Sequence, residues 1–158
     1  MATQPADRRA VELAFFADLV RSETRLYNQL NDDLRAAHGI VTSQFEFLRY
    51  LRDHDGTRIT DMAAEFAIGV GSVSKAMDRL EAGGWLARLP NPSNRRSSLL
   101  ALTDAGRALA DGAETTFSAR LAEILGDAVT GDQIDAAASV LHSLRAALER
   151  RGLGTPAG

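Results

Sequence analysis

Ser72, Ser74, Lys75 and Arg79 fall within a short segment at spacings that share the outer side of a helix. Beyond them the pair Arg95-Arg96 sits on a turn-rich stretch with no acid beside it. Hydroxyls, an ammonium and guanidinium groups are hydrogen-bond donors and positive charges, which is the chemistry of gripping a polyanion. Catalytic patterns do not compete with it. The chain has no cysteine, which removes thiolate nucleophiles, disulfides and zinc-thiolate sites. His38, His54 and His142 are scattered, without a metal-ligand spacing. No Gly-rich phosphate loop, nucleophile elbow or paired His-carboxylate spacing is present, so an enzyme would need residues the sequence does not advertise. No cofactor is implied.

The elements that must carry these donors can be read in order. Gly69 caps a helix over Val70 to Gly83, with Val73, Ala76, Met77 and Leu80 inward and Gly71, Ser72, Ser74, Lys75, Asp78 and Arg79 outward. Gly71 contributes no donor but lets the helix approach another surface closely. Thr60 caps a shorter helix, Asp61 to Ala67, and the Ile68-Gly69 turn gives the pair helix-turn-helix lengths. Trp85 to Leu89 and Ser98 to Leu102 are strand-like around the turn-rich Pro90 to Asn94, forming a wing tipped by Asn94, Arg95 and Arg96. The fold class is mainly α (α+β), a winged helix-turn-helix whose helix enters the major groove while the wing reaches the backbone or minor groove. Arg79 follows the Lys75 face toward a phosphate, or pairs with a nearby acid. Thr42 and Ser43 either cap their helix or offer donors to phosphate.

Charge agrees once divided along the chain. The net charge is −3, yet Val70 to Ser98 holds five basic residues against two acidic ones, +3, so the remainder carries −6. A basic patch on an acidic body orients the protein toward phosphates. A winged helix used for protein contacts is the alternative, and salt-dependent binding to random duplex separates the two.

Long helices flank this unit. Asp7 to Ala37 is apolar on two faces, through Leu13, Phe16, Val20, Tyr27 and Leu34 and through Phe15, Leu19, Leu26 and Leu30. His38-Gly39 ends it. A helix from Thr42 to Asp53 opens with Ser43-x-x-Glu46, a capping-box pattern, and Thr57 to Ile59 reads as a short strand. Thr103 caps a helix to Leu125, stopped by Gly126, and Thr130-x-x-Gln133 opens a last one to Arg151 with an apolar stripe. The division is therefore 1–37 and 103–151 as a helical dimerisation region, 38–102 as the DNA-binding region, and 152–158 as a mobile tail. Two-faced helices imply a homodimer. With 45% hydrophobic and 25% charged residues in 158, the chain has an ordinary globular composition. No run reaches the roughly 18–20 apolar residues of a membrane span, and MATQPADRRAVELAFF has no signal-peptide core. A cytoplasmic location and no membrane partner are expected.

In order and spacing, the chain resembles the MarR family of bacterial transcriptional regulators from about Phe15 to Leu148. The motifs are Gln44-Phe45-x-x-Leu48, Met62-Ala63-x-x-Phe66 and Val73-Ser74-Lys75-x-x-Asp78-Arg79-Leu80-Glu81, then Gly84, Arg88, Pro90-Asn91-Pro92, Arg95-Arg96 and Leu102-Thr103-x-x-Gly106. The resemblance implies an obligate homodimer paired through its first and last helices, double-stranded DNA with a pseudopalindromic operator as partner, and repression relieved by a small, often aromatic or phenolic, effector. The effector would bind near Arg21, Arg25, Tyr27, His38, Phe45, Phe47 and Tyr50, residues whose other reading is core packing for the rings and surface for the arginines. The family's wing tip reads Asp-x-Arg where this chain has Asn94-Arg95-Arg96. The minor-groove role carries to Arg96, with Arg95 a phosphate partner. Trp85 is a core anchor under the wing, or a ligand-stacking ring.

Overall fold

In a computed structural model that describes residues 5–156, six helices and one two-stranded sheet follow one another. They are α1 (Pro5–His38), α2 (Thr42–Asp53), α3 (Ile59–Glu65), α4 (Val70–Ala82), β1 (Leu86–Pro90), β2 (Ser98–Leu102), α5 (Asp104–Ala128) and α6 (Gly131–Arg150). Met1 to Gln4 and the last two residues of the 152–158 tail lie outside the described residues.

The core sits where α2, α4, α5, the sheet and the C-terminal part of α1 converge. Leu34, Ile40, Leu48, Leu51, Met62, Met77, Leu80 and Leu100 are fully buried there. Each such side chain contributes about 1.5–3 kcal/mol on burial, enough to fix α4 by its inner face. β1 and β2 are antiparallel, with Leu86 opposite Leu102 and Pro90 opposite Ser98.

Several boundaries differ from the sequence expectations, each for a local hydrogen-bonding reason. Ser43 and Glu46 do not cap α2; its N-cap is Val41, whose N–H donates to Gln44 Oε1 at 3.0 Å, while Thr42 N–H donates to Asn31 on α1. Thr60 does not cap α3, which starts earlier: Arg58 N–H donates to Asp61 Oδ2 at 3.1 Å. This start removes the Thr57–Ile59 strand, leaving one bridge in which Leu100 N–H donates to Thr57 O at 2.8 Å. Trp85 precedes β1 rather than opening it. Gly126 does not stop α5, which continues to Ala128. The expected Thr103 and Thr130 caps are present, accepting from Gly106 and Gln133 N–H.

α1 is buried only toward its end, at Leu30 and Leu34. Its earlier apolar residues are open, Phe16 being 65% exposed, and no residue of α6 is buried. No helix among the described residues is long and apolar enough to cross a membrane.

Candidate nucleic-acid interface

α3 and α4 are joined by a turn longer than Ile68-Gly69. Ile68 N–H donates to Ala63 O, and Ala67 between them takes φ +50°, a left-handed backbone that costs a β-carbon-bearing residue about 1–2 kcal/mol. Gly69 then caps α4 from an extended conformation. Val73, Met77 and Leu80 are fully buried, so the opposite face is fixed outward. Gly71, Ser72, Lys75 and Arg79 are exposed and Ser74 is half-buried. A β-carbon at Gly71 would meet nothing within 4 Å, so the chain's own packing does not require its smallness.

The wing is anchored at its base and knotted at its tip. Gly84 exits α4 at φ +76°, and Trp85 turns onto the core. Thr103 N–H donates to Trp85 O at 3.1 Å and the Thr103 hydroxyl to Gly84 O at 2.7 Å. A β-carbon at Gly106 would lie 2.0 Å from Trp85 O, so only glycine lets α5 close on this strand. At the tip, Ser93 N–H donates to Asn91 Oδ1 and Arg96 N–H to Asn94 Oδ1, both at 3.0 Å. Asn94 thus shapes the backbone of the tip rather than pairing with a guanidinium. Arg95 and Arg96 lie in turns outside both strands, so strand alternation does not set which way either side chain points.

Electrostatically, the basic residues divide in two. Arg88 is turned inward against Asp78 at 2.6 Å and Glu81 at 3.5 Å. Lys75, Arg79, Arg95 and Arg96 have no carboxylate within ion-pair distance among the described residues, so the Arg79 alternative of a local ion pair is not realised. Between α3, α4 and the wing lies a cleft of about 310 Å³, lined by Arg58, Ser74, Arg88, Arg96, Ser97 and Ser98 among others, with no carboxylate in its wall. Arg58 binds Asp61 through Nε at 2.9 Å and Nη2 at 2.6 Å, which holds the Asp61 carboxyl below the usual carboxylate range. Sequence reasoning missed Arg58, placing it on a strand; the Asp three residues later was the available signal.

The seven effector residues do not share one cavity, and Phe47 is buried with its ring 4.9 Å from that of Phe66. Phe45 is in the core, 1% exposed, its ring 4.8 Å from that of Phe117, so it cannot present a face to a ligand without repacking. Tyr27 lines an apolar hollow of about 590 Å³ with Leu30, Phe117, Leu121 and Leu141. Arg25 lines a separate cleft beside Arg120. Tyr50 stacks on His54, ring centroids 4.1 Å apart, in a third hollow, where burial and the nearby Glu65 carboxylate raise the phenol's pKa. His38 is hydrogen-bonded to Thr116 at 2.8 Å, and Arg21 is exposed on α1. Phe117 and Leu141, on helices far along the chain from Tyr27, carried no local signal. Among the described residues, no group of three or more His, Asp or Glu could hold a metal ion.

A helix held outward by its buried face, with a basic hairpin beside it, is the architecture of the winged helix-turn-helix proteins. The MarR family model matches residues 41–98, which span α2 through to the start of β2. The multiple antibiotic resistance protein MarR of Escherichia coli is 27% identical over 95 residues, 60% of this chain and 66% of that protein, just under two thirds of its length. The transcriptional repressor CouR, solved bound to a 23-mer DNA duplex, is 29% identical with a TM-score of 0.72, over 92% of this chain and 99% of CouR. Sco3205, a MarR family transcriptional regulator from Streptomyces coelicolor solved with DNA, shares the fold at a TM-score of 0.82 and 22% identity, over 93% of both chains. Over residues 41–98, from α2 to the start of β2, this chain is similar to the MarR family.

Proposed function

We propose that this chain is a sequence-specific DNA-binding transcriptional regulator, and not an enzyme, acting in the cytoplasm as a homodimer on a pseudopalindromic operator. The observation that carries this is the set of four cations without an ion pair among the described residues, Lys75, Arg79, Arg95 and Arg96, spread over the outer face of α4 and the adjoining wing tip. Gly71, Ser72 and Ser74 give that face close approach and hydroxyl donors for base edges or backbone. The DNA-bound structures of CouR and Sco3205 support the same use of the fold. A dimerisation region at 1–37 and 103–151 is supported by the open apolar faces of α1 and α6, which a second copy would cover.

The regulator is a repressor released by a small aromatic or anionic ligand. Support comes from the apolar hollow beside Tyr27, which touches α1, α2, α5 and α6 and so joins α2 of the proposed DNA-binding region to the helices left for a partner. A ligand there acts only through unequal affinity for two dimer forms, typically worth ~1–3 kcal/mol.

Selection of binding sites from random duplexes, followed by titration at two or more salt concentrations, tests the first claim. Lys75→Ala should weaken binding on every sequence if Lys75 meets phosphate, and flatten the log–log salt slope by about 0.9 for each phosphate that its ammonium neutralises. Failure to enrich any site, or affinity indifferent to salt, refutes it. Light scattering should return a dimer mass. A phenolic and carboxylate panel that leaves operator binding unchanged refutes ligand release.

A further inference from the structure

A duplex separates its major groove from the adjacent minor groove by one sugar-phosphate backbone. A protein with α4 in the first and its wing in the second must therefore let that backbone pass between them. We propose that the cleft between α3, α4 and the wing seats one backbone phosphodiester of each half-site, with Arg58 as its positioned ligand. This rests on the DNA-reading role proposed above, and it gives a function to a residue outside both the recognition helix and the wing.

Three features single out Arg58. Its Nε and Nη2 are committed to Asp61 at 2.9 and 2.6 Å, which holds the guanidinium plane and leaves Nη1 without a partner. A fork already held in place loses less side-chain freedom on meeting a phosphate. The carboxylate that aims it does not line the cleft; the wall's polar groups are three arginines and the hydroxyls of Thr60, Ser74, Ser97 and Ser98, set beside the aliphatic Ile59 and Val70. Ser74 and Ser98 line the same space, and their hydroxyls have no protein partner among the described residues. The other two arginines are less suited to the task. Arg88 faces two carboxylates, Asp78 and Glu81, and is only 28% exposed against 53% for Arg58, while Arg96, exposed and without an ion pair among the described residues, is free to extend past the cleft into the minor groove.

A methylphosphonate scan tests the assignment. Single phosphates of a selected operator are replaced by the neutral analogue, and affinities are measured for wild type, Lys75→Ala and Arg58→Gln. Wild type should lose about tenfold at one phosphate per half-site, between the bases protected by α4 and the minor-groove stretch reached by the wing. That is the lower end for a charge-assisted contact, because Arg58 is half exposed. Arg58→Gln should lose a similar factor on the unmodified operator and become indifferent to the analogue at that one position, while keeping its sensitivity wherever Lys75→Ala loses it. Wild-type affinity for Arg58→Gln, or undiminished sensitivity at the central phosphate, overturns the assignment and leaves DNA reading by α4 intact. Should Arg58→Gln fail to fold, Arg58→Lys keeps the charge and the backbone cap. Its loss must then concentrate at that same phosphate, and an even loss over all phosphates overturns the claim. A chain that enriches no duplex overturns both readings.

Discussion

Gly71→Ala separates the stability of this fold from its reading of DNA, because the two should move in opposite directions. Gly71 is the second residue of α4, and a β-carbon built there meets nothing within 4 Å. Replacing glycine by alanine in a helix gains about 0.5–1 kcal/mol, and the lower figure applies this close to the N-terminus. For a chain of this size that raises the melting temperature by about 1–2 °C. On the operator the same methyl group is an obstruction. A helix with its side chains is ~10–12 Å across and the major groove is ~12 Å wide, so the inserted helix has almost no slack at its closest point. Forcing a methyl into a close-packed contact costs about 1–3 kcal/mol, or roughly 5- to 150-fold in affinity. Thermal unfolding and fluorescence anisotropy on one protein preparation read both quantities. Binding as tight as wild type, with an unchanged footprint, would refute the claim that Gly71 faces the bases.

Gly106→Ala should behave in the opposite way, since its β-carbon would stand 2.0 Å from the Trp85 carbonyl oxygen. A loss of about 3 kcal/mol or more is expected by denaturant unfolding, and a loss under 1 kcal/mol would contradict the close approach of α5. At the wing, Arg96→Ala should weaken operator binding more than Arg95→Ala and blunt any preference for A·T-rich flanks, where a narrow minor groove favours an inserted guanidinium. Equal effects of the two variants on flank preference would remove Arg96 from the minor groove. Asp53 and Asp61 are held below the usual carboxylate range by Arg52 and Arg58. Stability from such depressed groups is complete above their unfolded pKa, about 4, and is lost as pH falls through the folded values. Asp61→Asn should therefore lose less stability than wild type between pH 5 and 2, and an identical acid limb would show that the pair contributes nothing.

The outward face of α4 was legible because period and burial say the same thing there: Val73, Met77 and Leu80 had to go in, so Lys75 and Arg79 had to stay out. The Thr103 and Thr130 caps were legible for an equally local reason. Arg58 was not, because a side chain that donates to the acid three residues on looks like any surface arginine until its cleft is assembled. The Ser43-x-x-Glu46 pattern misled for the complementary reason: Gln44 and Asn31 already satisfy the donors at that helix start. Phe45 shows the wider limit. An aromatic on an apolar face reads identically whether its ring closes a core or opens onto a ligand, and only the position of Phe117, far along the chain, decides it.

How a signal could travel from the outer helices to the DNA-reading surface follows from the junction at Trp85. The exit of α4, the root of the wing and the first turn of α5 share one set of bonds: Thr103 to Trp85 O, Thr103 to Gly84 O, and Gly106 N–H to Thr103 Oγ1 at 3.1 Å. A second tie lies on α2, where Arg52 bridges Asp111 at 2.8 Å and Glu114 at 2.6 Å on α5. Both ties favour movement of α5 together with α2, the exit of α4 and the root of the wing. On the proposed reading, a ligand in the hollow beside Tyr27 and Phe117 therefore need not deform α4. A small tilt of α5 relative to α1 would change the distance between the two reading units of a dimer, and half-site spacing on duplex DNA tolerates little such change because the grooves recur at a fixed helical pitch. The ion pair from Arg120 on α5 to Asp33 on α1, at 3.1 Å, spans the contact that such a tilt must shear.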